Sequence, residues 1–317
     1  MTLPDVGASQ TPTSNPFSQL IIDCNNDPNE VQFRYETHRS NRNAFHREKL
    51  LSKDFSGWQI DEILRKLILA KETTATSENG SVPLEASFVD HRHNLNFYAR
   101  PPKHVRDIVA EIQTELKDVA PSLWFSPPDF LHITTLEVVS SRTAEDVDAL
   151  ASHLHEKTGT AAKLVSYMDS PHHRARLVKP MLSYDTSAMA LSFLPAAGEP
   201  TNQLVYDDAY SYHHLRRDLA DQILRSGITL GARYVVPSAH VTVARFVSQI
   251  ESDVESVMRL VERLEKVNAM LREKYWPMEG LMPANGEWVV GQEQGSEMNK
   301  GPSWYGGGER VLVGKGI

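Results

Sequence analysis

The sequence contains a single cysteine, Cys24, among 317 residues. An intramolecular disulfide needs two cysteines and is therefore impossible, and a cysteine-rich zinc site is not expected. Nothing in the cysteine content requires an oxidising environment. The chain is thus compatible with a reducing compartment.

Long hydrophobic runs are also missing. No stretch approaches the roughly 18 apolar residues that a membrane-spanning helix needs, and residues 1–5 lack the basic and then apolar pattern of a secretion signal. We expect a cytoplasmic protein, with the nucleus as the alternative, that has no membrane partner.

Positive charge is in short supply. The chain has 33 Lys and Arg against 41 Asp and Glu, which gives a net charge of −8. This balance argues against a broad surface for nucleic acid or anionic lipid, although a small basic pocket remains compatible with it. An anionic substrate is therefore expected to be small, or to be held at one end.

Two common catalytic motifs are absent. No Gly-x-Ser-x-Gly turn marks a serine nucleophile, and no Gly-x-x-x-x-Gly-Lys-Ser/Thr loop marks ATP hydrolysis. Several histidines occur in pairs, but no His-Glu-x-x-His pattern accompanies them, so we interpret them as surface or turn residues rather than metal ligands. These pairs are 91/93, 153/155, 172/173 and 213/214.

Residues 1–90 form an N-terminal extension in our interpretation. Polar segments at 11–16 and 25–30 bury little and are expected to be mobile. A short helix is predicted at 44–51, and apolar spacing predicts a packing helix over 56–72 with a capping box at Ser56 and Gln59. A polar linker is predicted at 73–81.

Residues 91–317 alternate between strand and helix patterns and are interpreted as one catalytic domain. Because the succession occurs twice, we predict an α+β fold of two lobes, each with a mostly antiparallel sheet and outer helices. The predicted strands are 95–100, 124–125, 130–139, 163–168, 176–184, 188–194, 233–247, 287–292 and 310–313, and the predicted helices are 103–118, 143–156, 210–226 and 252–274.

One sequence pattern returns in the second half of this domain. His132-Ile133-Thr134 follows Leu131, and His240-Val241-Thr242 follows Ala239. Side chains alternate across a strand, so each histidine shares a face with the threonine two residues later. A single triplet of this kind carries little weight. A third example, His38-Arg39-Ser40, lies in polar sequence without strand character. In addition, hydrogen-bonded structural histidines are more common than catalytic ones. Two such strands at corresponding positions instead indicate one site built from both.

The chemistry of two histidines and two threonines suits phosphodiester cleavage. Histidine has an unperturbed pKa close to neutrality, so one ring can accept a proton from the attacking hydroxyl while the other donates one to the departing oxygen. Threonine hydroxyls can donate hydrogen bonds to the non-bridging oxygens, where negative charge gathers. This set of residues requires no metal.

These motifs resemble those of the two-histidine (2H) phosphoesterase superfamily, in particular its LigT-like group of 2′-5′ RNA ligases and cyclic nucleotide phosphodiesterases. The resemblance rests on His132-Ile133-Thr134-Thr135-Leu136 and His240-Val241-Thr242-Val243-Ala244, which are 108 positions apart, and on the strand Phe97-Tyr98-Ala99-Arg100 before Pro101-Pro102. It covers about residues 94–313.

The resemblance implies a bilobal fold with pseudo-twofold symmetry, a central cleft and no cofactor or metal. It implies His132 and His240 as catalytic residues and Thr134 and Thr242 as phosphate ligands. Tyr98 is a candidate substrate-binding residue, with a buried structural tyrosine as the alternative. The implied activity is hydrolysis of a 2′,3′-cyclic phosphate on a small nucleotide or RNA end. We expect the protein to be a monomer. The alternatives are an RNA 3′-end trimming exonuclease and a non-catalytic nucleotide- or RNA-binding module.

Four further residues are weaker candidates. Arg245 lies an odd number of positions after His240, and strand alternation predicts that it points away from the histidine face. Trp288, Trp304 and Tyr305 could cover a nucleobase, but packing in the core or in a loop explains them equally well.

Overall fold

The computed structural model describes residues 15–76, 88–202, 207–231 and 235–317. Residues 11–14 of the predicted mobile segment at 11–16 lie outside these ranges, as does the second half of the predicted linker. The first residues of that linker instead belong to a helix. The helices within the described ranges are α1 (Ser18–Asp23), α2 (Pro28–Leu51), α3 (Glu62–Thr76), α4 (Lys103–Lys117), α5 (Ala144–Ser152), α6 (Thr160–Val165), α7 (Tyr212–Arg225) and α8 (Val254–Tyr275).

The strands of the described ranges form a single antiparallel sheet, and the predicted α+β class is confirmed. The order across the sheet is β7-β4-β5-β6-β3-β1-β8-β9, with β2 added beside β6. The strands are β1 (His93–Ala99), β2 (Trp124–Phe125), β3 (Ile133–Arg142), β4 (Arg176–Tyr184), β5 (Ala188–Pro195), β6 (Ala239–Arg245), β7 (Glu287–Val289), β8 (Ser296–Gly301) and β9 (Glu309–Val313).

The two strands with the repeated motif lie next to each other at the centre of this sheet. β3 and β6 are joined through one residue pair, Ile133 with Val241. The prediction of two separate sheets is therefore corrected to one continuous sheet of two four-stranded halves, β7-β4-β5-β6 and β3-β1-β8-β9. The pairing of β3 with β6 joins the two halves. A sequence pattern cannot show which strands pair.

The buried face of α4 illustrates why most elements lie where the sequence predicts them. Its apolar residues recur at three- and four-residue spacing, and all five predicted positions are buried: Val105, Ile108, Val109, Ile112 and Leu116. β1 is likewise buried over nearly its whole length. α2 and α8 pack against β4, α5 packs against β1 and β8, and α7 packs against β3.

Two predictions in the second half of the chain are wrong, and one strand was missed. Residues 163–168 do not form a strand, because α6 buries Thr160, Ala161, Leu164 and Val165 at helical spacing. The cap of α8 is Asp253, which accepts from the Ser256 amide, rather than Ser252. β8, with its polar residues Glu297, Asn299 and Lys300, was not predicted, because no apolar alternation marks it.

The N-terminal region contains more ordered structure than its polar sequence predicts. α2 begins at Pro28, inside the segment predicted to be mobile, and Asp27 caps it by accepting from the Asn29 amide. Few of the 24 residues of α2 are buried, and one of these is Arg39. The helix therefore has no apolar stripe from which the sequence could predict it. The predicted start of the next helix at residue 56 is also wrong. α3 begins at Glu62, and Asp61 accepts from the Leu64 amide.

The paired histidines at the start of α7 are structural, and they are buried rather than on the surface. Nδ1 of His213 accepts from the Tyr35 hydroxyl, 3.0 Å away, and its Nε2 donates to the Phe17 carbonyl at 3.0 Å. His214 completes a capping box with Ser211. These contacts attach α1 and α2 to α7.

We expect these two histidines to make the fold acid-sensitive. Burial lowers the pKa of His213 to about 3 and that of His214 to about 4. Because the unfolded pKa is about 6.5, their stabilising contribution is complete above that pH and is lost as the pH falls towards 4, by on the order of 2–4 kcal/mol per histidine. Urea unfolding at a series of pH values should show this loss, with a shallower pH dependence for His213→Gln. The exposed His155→Gln variant serves as the control, and an unchanged pH dependence in His213→Gln would contradict this account.

In the part of the chain that the structure describes, no helix is both long and apolar enough to cross a membrane.

Candidate active site

The register between β3 and β6 brings the two motifs together. Ile133 pairs with Val241 in an antiparallel arrangement. One residue further in each direction, His132 lies opposite Thr242, and Thr134 lies opposite His240. Side chains at such positions share one face and lie roughly 5 Å apart at their Cβ atoms. Each histidine therefore has the threonine of the other motif as its neighbour.

Both motif strands contain a β-bulge at the same position. In β3 the unmatched residue is Thr135, because Phe97 pairs with Leu136 and Tyr98 with Thr134. In β6 it is Val243, because Met189 pairs with Ala244 and Ala190 with Thr242. In each case the extra residue lies three positions after the histidine and is fully buried. The two halves of the site thus share a backbone geometry as well as a sequence pattern.

The bulge in β6 overturns the prediction for Arg245. A regular strand would turn this side chain away from His240, but an extra residue in the strand reverses the alternation that follows it. Arg245 therefore lines the same cavity as His240 and Thr242. Glu137, five positions after His132, occupies the corresponding place in the other half and also lines the cavity.

All five site residues predicted from the sequence line one cavity of about 430 Å³, which we call the main cavity. His132, Thr134, His240 and Thr242 form one part of its wall, and Tyr98 lies beside them. Aromatic side chains line much of the rest, and sequence reasoning missed three of them. These aromatic residues are Trp124, Phe130, Tyr212, Trp304 and Tyr305.

His132 is held in one orientation by its neighbours. Its Nδ1 donates to the Phe130 carbonyl, 2.8 Å away, which leaves Nε2 as the atom that gains or loses a proton. Its ring lies against the ring of Tyr98, with centroids 4.0 Å apart and an angle of 31° between the planes. The ring is partly exposed to the cavity.

His240 has a different partner. Its Nδ1 lies 3.1 Å from Oγ of Ser238, and a hydroxyl can either donate or accept this hydrogen bond. The Ser238 contact therefore suits both the neutral and the protonated ring. The sequence signal for Ser238 is its position two residues before His240, where alternation places it on the same face.

The surroundings strongly favour the neutral form of both histidines. Burial lowers the pKa of His132 to about 4, and the positive charges of Arg100 and Arg245 act in the same direction. Burial also lowers the pKa of His240 to about 4, with Arg216, His132 and Arg245 contributing. The positive charges around the cavity thus act against protonation of both rings. A bound anion would offset this charge and raise both pKa values.

Arg216 was not identified from the sequence. It lies in α7, lines the main cavity and is almost fully buried. Its Nη1 donates to the Val236 carbonyl at 3.1 Å, and its guanidinium lies 4.3 Å from the centre of the Phe17 ring. Because α7 is an amphipathic helix with several arginines, no pattern separates a cavity arginine from an exposed one.

Tyr98 is a buried residue of the cavity wall. It lines the cavity, yet it is only 4 % exposed. Its hydroxyl donates to Ser303 at 3.1 Å and accepts from the Asn96 amide at 3.0 Å. The hydroxyl is therefore occupied by protein groups, while the ring supports His132.

The loop at residues 302–308, between β8 and β9, covers part of the main cavity. Its Trp304 and Tyr305 line the cavity, as one of the two sequence interpretations allowed. A Cβ atom added at Gly306 would overlap the ring of Phe130, and the φ of this residue is +82°, so glycine allows the loop to lie against the cavity wall. Trp288 is instead fully buried in the core.

A second, smaller cavity of about 220 Å³, the side cavity, lies beyond His240. It shares Ser238, His240, Thr242 and Arg245 with the main cavity. Its remaining lining is polar and comes largely from α2, β4 and β5. His240 and Thr242 consequently have accessible space on two sides.

Among the described residues, no three side chains of the kinds that bind metals (His, Cys, Asp or Glu) are grouped to hold an ion. The polar residues at the main cavity include histidines, hydroxyls and arginines, which suit proton transfer and the binding of an anion.

Comparisons with solved structures give distant similarities. No protein-family model matches the chain, and no curated protein matches it. Among solved structures, the conserved protein of unknown function ATU0111 from Agrobacterium tumefaciens aligns with 14 % identity and a TM-score of 0.46, over 78 % of this chain and 98 % of that one. Usb1 from Kluyveromyces marxianus, in a structure with uridine monophosphate, aligns with 12 % identity and a TM-score of 0.35, over 68 % and 95 %.

Proposed function

We propose that this protein is a metal-independent phosphodiesterase of the two-histidine type, and that it hydrolyses the 2′,3′-cyclic phosphate of a nucleotide or an RNA end. The observation that carries the proposal is the pairing of Ile133 with Val241. This pairing brings two histidines and two threonines from distant parts of the chain to one cavity. A catalytic unit within residues 91–317, preceded by an N-terminal extension, remains our proposal for the domain organisation.

The proposed reaction transfers two protons. Water attacks the phosphorus atom and loses a proton to one histidine. The bond from phosphorus to one ribose oxygen breaks, and that oxygen receives a proton from the other histidine, which gives a phosphomonoester. Thr134 and Thr242 donate hydrogen bonds to the non-bridging oxygens, and Arg245 supplies positive charge beside them.

We assign His132 as the base and His240 as the acid. The Phe130 carbonyl only accepts, so the proton on Nδ1 of His132 stays in place and Nε2 of the neutral ring is free to take a proton. The Ser238 hydroxyl can accept from a protonated His240, whose Nε2 then donates to the leaving oxygen. The aromatic wall of the main cavity supports the choice of a nucleotide, because aromatic rings stack on bases of every type.

The side cavity favours a second candidate, an RNA 3′-end trimming exonuclease. A cyclic phosphate carries one nucleoside, whereas an internal phosphodiester has a nucleoside on each side. The space on both sides of His240 and Thr242 would accommodate the second nucleoside. Both candidates use the same pair of histidines, so they differ in substrate and not in mechanism.

Turnover by the purified protein in EDTA tests these proposals. We expect a 2′,3′-cyclic nucleotide to be converted to a single monoester, which chromatography would separate from the other isomer. A short RNA with a 5′ label should be offered in parallel. Shortening of this RNA, without hydrolysis of the cyclic nucleotide, would replace the first candidate with the second.

Two other outcomes would reject the enzymatic proposal. Nucleotide binding without turnover of either substrate would identify a binding module. Turnover that stops in EDTA and returns with a divalent ion would reject the metal-independent mechanism.

A further inference from the structure

All residues that line the main cavity lie between Asn94 and Gly306, but one residue of the N-terminal region contacts two of them from outside. Asp61 lies immediately before α3. Its Oδ1 accepts from the Tyr305 hydroxyl at 2.6 Å, and its Oδ2 lies 3.4 Å from Nη1 of Arg245. One carboxylate thus contacts both a residue of the loop 302–308 and the arginine closest to the motif of β6.

The segment that presents Asp61 is fixed to the end of β6. The Asp61 amide donates to the Phe246 carbonyl at 3.0 Å. The Trp58 ring stacks on the ring of Phe246, with centroids 3.9 Å apart and planes only 9° from parallel. The Gln249 side chain accepts from the Trp58 amide and donates to the Trp58 carbonyl. These contacts fix the backbone segment that carries the Asp61 carboxylate.

Tyr305 links this carboxylate to the other side of the cavity. Its hydroxyl accepts from Arg92 at 3.2 Å while it donates to Asp61. The guanidinium groups of Arg92 and Arg245 lie 5.8 and 5.6 Å from the centre of the Tyr305 ring. Burial and the hydrogen bond to Asp61 raise the pKa of Tyr305 to about 12, so the hydroxyl keeps its proton and remains a donor at neutral pH.

We propose that Asp61 is a positioning residue that fixes Arg245 and the aromatic loop 302–308 over the main cavity, so that the N-terminal region completes the catalytic site. Without this carboxylate, Arg245 has no described anionic partner at its end of the cavity, and Tyr305 loses the acceptor that aligns it. The proposal rests on the proposed function for its kinetic consequences. Its structural consequences can be measured without any substrate.

The first test is kinetic, with Asp61→Asn as the main variant. Asparagine keeps an oxygen that can accept from both the Leu64 amide and the Tyr305 hydroxyl, which share Oδ1 of Asp61, but it removes the negative charge beside Arg245. The start of α3 and the melting temperature should therefore be retained. We expect kcat/KM to fall about tenfold, chiefly through kcat, since groups aimed at the transition state lose their alignment. Glu62→Gln is the matched control, because this adjacent carboxylate pairs with Arg65 on the exposed surface.

A double-mutant cycle shows whether the effect passes through Arg245. In an Arg245→Gln background, Asp61→Asn should have little further effect on kcat/KM, because the partner it aligns is already absent. Independent, multiplicative effects of the two changes would overturn the proposal. So would an Asp61→Asn variant with the kinetics of the wild type.

The second test uses hydrogen exchange and needs no activity. Asp61→Ala, which removes the acceptor of the Tyr305 hydroxyl, should speed the exchange of backbone amides in the loop 302–308 several-fold, and Glu62→Ala should not. Unchanged exchange would overturn the proposal even if the enzyme is active. Faster exchange in a protein that turns over no phosphodiester would support the positioning role and reject the proposed function alone.

Discussion

Replacing either His132 or His240 with alanine is expected to reduce kcat by about 10³-fold or more, because each removes a proton-transfer group that the other cannot replace. The double variant should be little worse than either single one, since the two rings act as a unit. Steady-state kinetics with a 2′,3′-cyclic nucleotide in EDTA would measure both effects. Both rings are partly exposed on the cavity wall, so the variants should remain folded.

His155→Ala provides the control for this experiment, since this exposed histidine lies away from the main cavity. It should have wild-type kinetics. Residual activity close to wild type in either cavity variant would show that its histidine is not part of the reaction. A double variant whose loss equals the product of the single losses would show that the histidines act in separate steps.

The second large effect concerns pH. With both pKa values at about 4 in the free protein, the form with one protonated and one neutral histidine is most abundant near that pH. Above it this form declines about tenfold for each pH unit, and kcat/KM should decline with it, by about 10³-fold from pH 5 to pH 8. The profile of kcat should lie at higher pH, because the bound phosphate raises both pKa values.

Kinetics across this pH range, with circular dichroism at each pH to confirm folding, would measure the two profiles. Arg245→Gln should move the descending limb of kcat/KM to higher pH, because the charge of Arg245 lowers the pKa of both histidines. A kcat/KM that is flat between pH 5 and pH 8 would be incompatible with the assignment of these rings as acid and base.

Sequence reasoning identified the five candidate residues that the structure brings to one cavity, because their signal is local. A histidine and a threonine two positions apart in an apolar strand share a face whatever the tertiary structure. The prediction that these residues form one site rested only on the repetition of the motif. The hydrogen-bond partners of these residues, such as the Phe130 carbonyl that accepts from His132, depend on the geometry of turns, which the sequence pattern does not specify.

The cavity residues that were missed depend on events that leave no local pattern. Arg245 was assigned to the wrong face because a bulge at Val243 adds one residue to the strand, and nothing in the sequence marks an extra residue. Arg216 lies on an arginine-rich helix. Asp61 reaches the site from a segment predicted to lie inside a helix, since Ser56 and Gln59 satisfy the capping pattern that Asp61 satisfies in the structure.

The same limits apply to the fold. The regular apolar spacing of α4 predicted its bounds closely, whereas α2 has almost no apolar stripe and depends on tertiary contacts such as that of Arg39 with the Lys179 carbonyl. In α6, a short run of apolar residues was compatible with strand or helix, and burial at helical spacing decided between them.

The position of β8 has a consequence for how the protein is made. β1 is synthesised early, but its outer neighbour β8 begins only at Ser296, about two hundred residues later. During translation β1 therefore exposes an unpaired edge, to which another nascent chain could add a strand. The half of the sheet that carries His132 therefore cannot be completed until residues 296–313 have been synthesised.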